Sequence, residues 1–142
     1  MKPLLQPVTI LILWSMVMWA WLYATRIPAM RNAGIDLTHR KGGTGKDLEG
    51  MIPDKVQWKA HNYNHLMEQP TLFYAVMLVL ALLGDTSETT VQVAWAYVGL
   101  RIAHSLVQAL WNRTIVRWAI FMLASIALFL LSIRAVSGAF AA

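Results

Sequence analysis

The chain has 142 residues, of which 58% are hydrophobic and 13% are charged. Soluble domains carry roughly 45–50% apolar and about 25% charged residues, so this composition excludes a water-exposed globule and places the chain, as one domain, in a bilayer. The sequence contains no cysteine, which excludes disulfides, thiolate metal sites and a thiol nucleophile of the protein itself. The net charge of +5 is better explained by lipid headgroups or a small anionic substrate than by nucleic acid, because the basic residues lie at the ends of apolar runs.

The first apolar run, residues 4–25, carries no formal charge and is long enough to span a bilayer as helix 1. A signal peptide is the alternative, because Lys2 precedes the run. A signal peptide's apolar region has only about 7–15 residues, however, and this run is longer and contains the bulky Trp14, Trp19 and Trp21. These tryptophans are typical of an interfacial belt and a packing surface.

Residues 26–55 contain prolines, glycines and charges of both signs, which predict a long extramembrane loop with a partly disordered segment at 40–46. Helix 2 is predicted over 56–84, with a polar first half, an apolar second half and a kink at Pro70.

Helices 3 and 4 are predicted over 89–110 and 115–136, each joined to its predecessor by a short connection. The predicted fold is therefore an all-α, integral membrane four-helix bundle with up-down-up-down topology, formed by residues 1–142 as one domain.

The loop charges predict the orientation of the bundle. Seven of the 12 Lys and Arg residues lie between Arg26 and Lys59, and the 3–4 connection adds Arg113 and Arg117. The 2–3 turn has no basic residue. The positive-inside rule therefore places the 1–2 and 3–4 loops in the cytoplasm and both termini outside, although Lys2 favours the opposite orientation.

Helix 2 carries polar residues where a membrane segment is expected to be apolar. Asn64, His65 and Glu68 follow His61 at offsets of three, four and seven residues, so the four are predicted to share one helical face. Ionisable groups in spanning segments are costly and therefore suggest function. The spacing could also present metal ligands. Because no further ligand cluster accompanies these residues, no metal site is predicted.

Helix 3 repeats the same spacing with Arg101, His104 and Gln108, which again predicts one face. Two structural interpretations stay open here. Arg101 could be a counter-ion for Glu68 that only holds helices 2 and 3 together, and His104 could be a buried histidine with satisfied hydrogen bonds.

Arg113 and Arg117 stand four residues apart at the start of helix 4. Like charges at this spacing repel, so an anion is expected between them, supplied by Glu68, a ligand or a lipid phosphate. Arg113 could instead extend to the lipid headgroups.

Two segments resemble a known family. Residues 59–70, KAHNYNHLMEQP, resemble the helix 2 signature of the membrane-associated proteins in eicosanoid and glutathione metabolism (MAPEG), which reads Arg-Ala-x-x-Asn-x-x-Glu followed shortly by Pro. Residues 99–104, GLRIAH, with Arg113 and Arg117 after them, resemble the family's helix 3 to helix 4 region. The four helices and the long first loop agree as well, so the resemblance covers nearly the whole chain.

The resemblance implies a homotrimer that binds glutathione between neighbouring subunits. Arg117 matches the arginine that stabilises the glutathione thiolate, and Arg26 matches a glutathione-contacting arginine at the end of helix 1. Arg113 is a further binding candidate. This chemistry is plausible because arginines pair with the carboxylates of the tripeptide and a nearby cation lowers the pKa of its thiol.

The other implied glutathione contacts lie on helices 2 and 3. Glu68, with Asn64 or His65, matches the family's Asn/Glu pair, and Glu68 suits the ammonium group. Arg101 and His104 match an Arg-x-x-His of helix 3.

The implied function is a membrane-bound, microsomal-type glutathione transferase with glutathione as co-substrate, acting on lipophilic electrophiles and, as a peroxidase, on lipid hydroperoxides. The implied location is a bacterial inner membrane, with lipids and further copies of the chain as partners and no nucleic acid.

The sequence differs from the family's pattern at Lys59, which replaces an arginine, and at Gln108 and Phe121, where the eicosanoid-forming enzymes often have tyrosine. The spacing from Asn64 to Glu68 is also one residue longer than in the family, so His65 stands where the asparagine is expected. These differences motivate an alternative, a non-catalytic scaffold or lipid-binding protein of the same fold. A small drug exporter is a third hypothesis, but helix 1 lacks the acidic residue that such transporters carry.

Overall fold

A computed structural model describes residues 2–39 and 41–141 of the chain, and this described part is helical without strands. Its helices are α1 (Lys2–Asn32), α2 (Asp54–Leu66), α3 (Gln69–Leu82), α4 (Glu88–Leu110) and α5 (Thr114–Ala139), with a 3-10 turn at Gly45–Leu48. Because α2 and α3 are the two halves of one broken helix, the described residues make four passes, which confirms the predicted four-helix bundle.

Contacts at the two ends of the bundle give the order of the passes. Arg134 Nε near the end of α5 donates to Asp85 Oδ2 in the α3–α4 turn over 2.9 Å. At the opposite end, Lys59 Nζ of α2 lies 3.5 Å from the carbonyl oxygen of Ala109 near the end of α4. The passes therefore alternate in direction, as predicted.

Within the described ranges, three of the four passes are long and apolar enough to cross a membrane: α1, the α2–α3 pass (Asp54–Leu82) and α5. The fourth, α4, has 23 residues and a length of roughly 35 Å at about 1.5 Å per residue. It is less apolar because Arg101, His104 and Gln108 lie on it, and all three side chains are buried. The polar face of α4 is thus turned into the bundle.

α1 extends seven residues past the predicted end at residue 25 and contains Pro28 within the helix. A proline in a helix interior removes one backbone hydrogen bond, which is why the sequence indicated a loop there. The extra turns are stabilised by tertiary packing that the sequence did not reveal: Met30 is buried against Leu48 and Ile52 of the following loop.

The second pass breaks where the kink was predicted. α2 ends at Leu66 and α3 begins at Gln69, so Met67 and Glu68 lie between the two helices. Pro70 has no N–H to donate to the carbonyl of Leu66, and it stands in the first turn of α3, where an absent N–H is tolerated. The break therefore follows directly from one residue.

The bundle core combines aromatic stacking with small residues. Phe73 of α3 and Tyr97 of α4 stack with ring centroids 4.4 Å apart, and both are fully buried. Ala94 of α4 and Ala124 of α5 are also fully buried, and small side chains of this kind allow membrane helices to approach closely.

The first loop returns to the bundle end. Of the segment 40–46 that was predicted to be partly disordered, Arg40 lies outside the described residues. From Gly45 the chain forms the 3-10 turn, and Leu48 and Ile52 are buried against the end of α1. The loop thus closes over α1 and α2.

Asp85 links three segments at the other bundle end and makes stability depend on pH. Its carboxylate accepts hydrogen bonds from Arg134 Nε, from the Ser87 N–H and from Thr90 Oγ1. Burial opposes ionisation, but these bonds and the Arg134 charge together hold the pKa of Asp85 below its ordinary value. A carboxyl group with a lowered pKa stabilises the fold above its unfolded-state pKa of about 4, and this stabilisation is lost as pH falls through the folded-state value.

We therefore expect the Asp85→Asn variant to unfold in detergent at a lower temperature than the parent at pH 7, with a loss of about 1–2 kcal/mol from weakened hydrogen bonds to a charged group. The difference should begin to shrink as the pH falls below about 4, where the unfolded state binds a proton first, and it should be lost below the folded-state pKa, where the parent's carboxylate is protonated too. Glu88→Gln, at an exposed carboxylate near the same turn, is the matched control. An equal difference at pH 7 and pH 3 would contradict the role of Asp85.

Candidate functional site

A cavity of about 610 Å³ opens between α1, α2 and the first loop, and we call it the Arg26 cavity. Arg26 lies in the last two turns of α1, which the longer helix carries past the predicted end at residue 25. Besides Arg26, the lining combines aromatic, basic and amide side chains, notably those of Trp19, Tyr23, Lys46, His61 and Asn64.

A buried glutamine fixes the Arg26 side chain. Arg26 Nη2 donates to Gln57 Oε1 over 2.8 Å, and Gln57 Nε2 donates to the Gly45 carbonyl over 3.1 Å. A Cβ on Gly45 would lie 3.3 Å from Arg26 Nη1, so the loop backbone approaches the guanidinium closely. Arg26 Nε is buried and has no hydrogen-bond partner among residues 2–39 and 41–141. The guanidinium is therefore held in place with donor capacity to spare.

The rim of the same cavity is closed by a contact between the loop and α2. His61 Nε2 lies 3.2 Å from Glu49 Oε1, and both side chains are about half exposed. Such an exposed pair contributes little to stability. It does place the loop beside α2, so His61 lies at the rim rather than in the bundle.

A second cavity, of about 200 Å³, lies between α2, α4 and α5, and we call it the Arg117 cavity. It is lined by His65, His104, Gln108, Thr114, Arg117, Trp118 and Phe121. Three polar atoms of its lining are buried without a hydrogen-bond partner in the described part of the chain: Arg117 Nε, His104 Nδ1 and Gln108 Oε1. Because buried polar groups are normally hydrogen-bonded, these atoms point to a bound polar molecule or water.

Arg101 supports this cavity from behind. Its side chain is fully buried, and Nη2 contacts both His65 Nδ1 at 3.1 Å and the His65 carbonyl oxygen at 3.0 Å. The rings of His65 and His104 stack with centroids 4.8 Å apart, and the Phe121 ring lies 5.3 Å from His65. Arg101 thus joins α2 to α4 through His65 and not through Glu68, the counter-ion considered from the sequence.

The predicted polar face of helix 2 is divided in the structure. His61 and Asn64 line the Arg26 cavity, whereas His65 lines the Arg117 cavity. Adjacent helical residues are about 100° apart, so Asn64 and His65 can face different neighbours. Glu68 follows the end of α2 and is exposed.

The basic residues near the α4–α5 connection also lie in different places in the structure. Arg113 precedes the first residue of α5 and its guanidinium lies 5.2 Å from the centre of the Trp111 ring, outside both cavities. Arg117, by contrast, lines the Arg117 cavity. The two guanidinium groups therefore do not require the shared anion that was expected between Arg113 and Arg117. Lys59 donates to the Lys55 carbonyl over 2.6 Å, and its Nζ lies 5.3 Å from the Trp21 ring centre. These contacts give Lys59 a role in packing α2 against α1.

Sequence reasoning missed Gln57 and Gly45. Gln57 stands four residues before His61 and extends the polar face of helix 2, so the periodicity offered a signal for it that was not used. Gly45 belongs to no periodic face and approaches Arg26 only because the loop folds back, so its nearest signal was the glycine itself, in a loop otherwise rich in charge.

The geometry defines a helical membrane protein with two cationic cavities, one on each side of α2. The sequence model of the MAPEG family matches residues 4–137, and the chain belongs to the MAPEG family. No curated protein was found to match the chain. No solved structure was found to match it either.

Proposed function

We propose that the chain is a membrane-bound glutathione transferase of the microsomal type, which also reduces lipid hydroperoxides with glutathione. The family includes such transferases as well as non-catalytic members. The observation that carries the proposal is the Arg117 cavity, where a guanidinium N–H is buried beside two histidines and has no partner among the residues that the structure describes. A buried donor of this kind is stabilised by an anion, and a thiolate is one.

The proposed chemistry needs a thiolate at neutral pH. A free thiol has a pKa of about 8.5 and is mostly protonated, and an adjacent cation favours the anion. In the transferase reaction the thiol proton leaves to solvent, the sulfur forms a bond to the electrophilic carbon, and the leaving group departs with its electron pair. In the peroxidase reaction two glutathione molecules are oxidised to the disulfide while the hydroperoxide is reduced to an alcohol and water.

Arg26 serves the rest of the tripeptide in this proposal. Glutathione carries two carboxylates, and a guanidinium pairs with a carboxylate through two parallel hydrogen bonds. Asn64 lines the same cavity and supplies neutral hydrogen bonds. Glu68 is exposed and available to the ammonium group of a ligand, and Arg113 is proposed to attract the anionic tripeptide at the same end of the bundle.

Assembly and orientation are part of the proposal. Within one chain the Arg26 and Arg117 cavities have separate linings, so a glutathione that uses both arginines needs a neighbouring subunit. A homotrimer, with both cavities at the cytoplasmic end of the bundle in a bacterial inner membrane, meets this need. The lipophilic electrophile then arrives laterally from the bilayer.

The test is a titration of the detergent-solubilised protein with glutathione at neutral pH, followed by ultraviolet thiolate absorbance and by thermal unfolding. We expect thiolate absorbance to saturate and the unfolding temperature to rise, because a ligand that binds only the folded state stabilises it. S-methyl glutathione, which has no thiol proton to lose, should raise the unfolding temperature without the absorbance. Absence of both signals would favour the non-catalytic scaffold. Lys59 is consistent with that alternative, because it replaces the family's arginine and its ammonium group binds the Lys55 carbonyl.

A further inference from the structure

The contact between Arg101 and His65 constrains where the imidazole proton lies. A guanidinium carries five N–H donors and has no acceptor atom. Arg101 Nη2 is 3.1 Å from His65 Nδ1, so Nδ1 must be the bare, accepting nitrogen of that pair. A neutral imidazole with a bare Nδ1 carries its proton on Nε2.

The same guanidinium nitrogen also holds the backbone of His65, through the carbonyl oxygen at 3.0 Å. The ring is restrained further by stacking on His104 and by the Phe121 ring. His65 lines the Arg117 cavity, and its Nε2 has no hydrogen-bond partner among the described residues.

We propose that Arg101 is a positioning residue that fixes His65 as the neutral Nε2–H tautomer, which makes His65 a hydrogen-bond donor to an anionic acceptor group in the Arg117 cavity. The inference rests on the proposed glutathione binding and deepens it. Arg101 is absent from the cavity lining, so it acts through His65 and does not touch the ligand.

The consequence is a cavity with two N–H donors in its lining, His65 Nε2 and the buried Arg117 Nε. A ligand group that these donors bind is an acceptor, such as a carboxylate or a thiolate, while the unpartnered Gln108 Oε1 of the same lining can accept from a donor of the ligand. An imidazole in the other tautomer would present a lone pair to that anion and repel it. The tautomer therefore decides whether the cavity favours an anion on its α2 side.

The experiment is nitrogen-15 NMR of the full chain in detergent, labelled at its four histidines. Single His→Gln substitutions assign the signals. We expect a protonated Nε2 and a bare Nδ1 for His65 in the parent, and a mixture of both tautomers in Arg101→Met. Arg134→Met, at the other bundle end, is the matched control and should leave the His65 signals unchanged.

A protonated Nδ1 or mixed tautomers in the parent would overturn the proposal, while the thiolate titration would still decide glutathione binding separately. If Arg101→Met does not fold, the parent spectrum alone keeps the test decisive. In a folded Arg101→Met, the KM for glutathione is expected to rise about fivefold to tenfold with kcat little changed, which a purely structural role would not produce.

The same NMR measurement with added ligand identifies the group that accepts the hydrogen bond from His65. A shift of the His65 Nε2 signal with both glutathione and S-methyl glutathione assigns a carboxylate, and a shift with glutathione alone assigns the thiolate. No shift with either ligand, at concentrations that raise the unfolding temperature, would refute the donor role of His65.

Discussion

Replacement of Arg117 by alanine is expected to lower kcat/KM for glutathione conjugation by about 10²- to 10³-fold, the usual effect of removing one donor from a stabilised anion. Arg117 lines the cavity with a buried N–H that no described residue accepts, so the variant loses the cation that would hold the sulfur as an anion. The measurement is the initial rate with a chlorinated dinitroaromatic acceptor, together with thiolate absorbance at neutral pH.

The pH profile separates thiol activation from binding. In the parent the rate is expected to level off well below pH 8.5, because the bound thiol is already ionised. In Arg117→Ala the rate should keep rising toward the free thiol pKa of about 8.5. Arg117→Lys should fall between the two, since it keeps the charge but not the planar fork.

Arg134→Ala is the matched control for Arg117→Ala, because Arg134 lies on the same helix and pairs with Asp85 at the opposite end. Its conjugation rate should equal that of the parent. Equal rates in Arg117→Ala and the parent would remove Arg117 from the mechanism.

Replacement of Arg26 by alanine is expected to weaken glutathione binding about 10- to 100-fold, with kcat at saturating glutathione nearly unchanged. A hydrogen bond to a charged group contributes about 1.5–3 kcal/mol, and each 1.4 kcal/mol is a tenfold change in affinity. Calorimetric titration measures the affinity. Gln57→Leu should give a smaller loss in the same direction, because Arg26 remains but loses its 2.8 Å anchor.

Arg31→Ala serves as the control for Arg26→Ala, because Arg31 is an exposed arginine on the same helix and lines neither cavity. Its glutathione affinity should stay at the parent value. If Arg31→Ala weakened binding as much as Arg26→Ala, the effect would be general electrostatic attraction and not a specific contact.

The number and order of the passes could be predicted because each depends on a local property, an apolar run of sufficient length or a proline such as Pro70. The extent of α1 could not, since Pro28 stays helical only through the packing of Met30 on the loop. The site residues, too, could be predicted only where their positions depend on local spacing. Arg101, His104 and Gln108 share a buried face as their spacing indicated.

Residues whose role depends on a distant segment were beyond the sequence. Gln57 contacts Arg26 across 31 positions of the chain. Asn64 and His65 are neighbours in sequence, yet they line different cavities. The cavity that each of these residues lines depends on how α2 packs between α1 and α4. Sequence periodicity does not predict that packing.

The gap between α2 and α3 explains how the Arg101 guanidinium can be fully buried with no carboxylate within hydrogen-bonding distance among the described residues. An interrupted helix leaves carbonyl groups with no intrahelical N–H, and its C-terminus carries roughly half a negative charge. Arg101 donates to one of these carbonyls, that of His65. Two features that would each be unfavourable in hydrocarbon, an open helix end and a buried guanidinium, therefore compensate each other in part, since Arg101 Nη2 is bonded while Nε and Nη1 are buried with no partner among the described residues. Removing either one alone exposes the full desolvation penalty of the other.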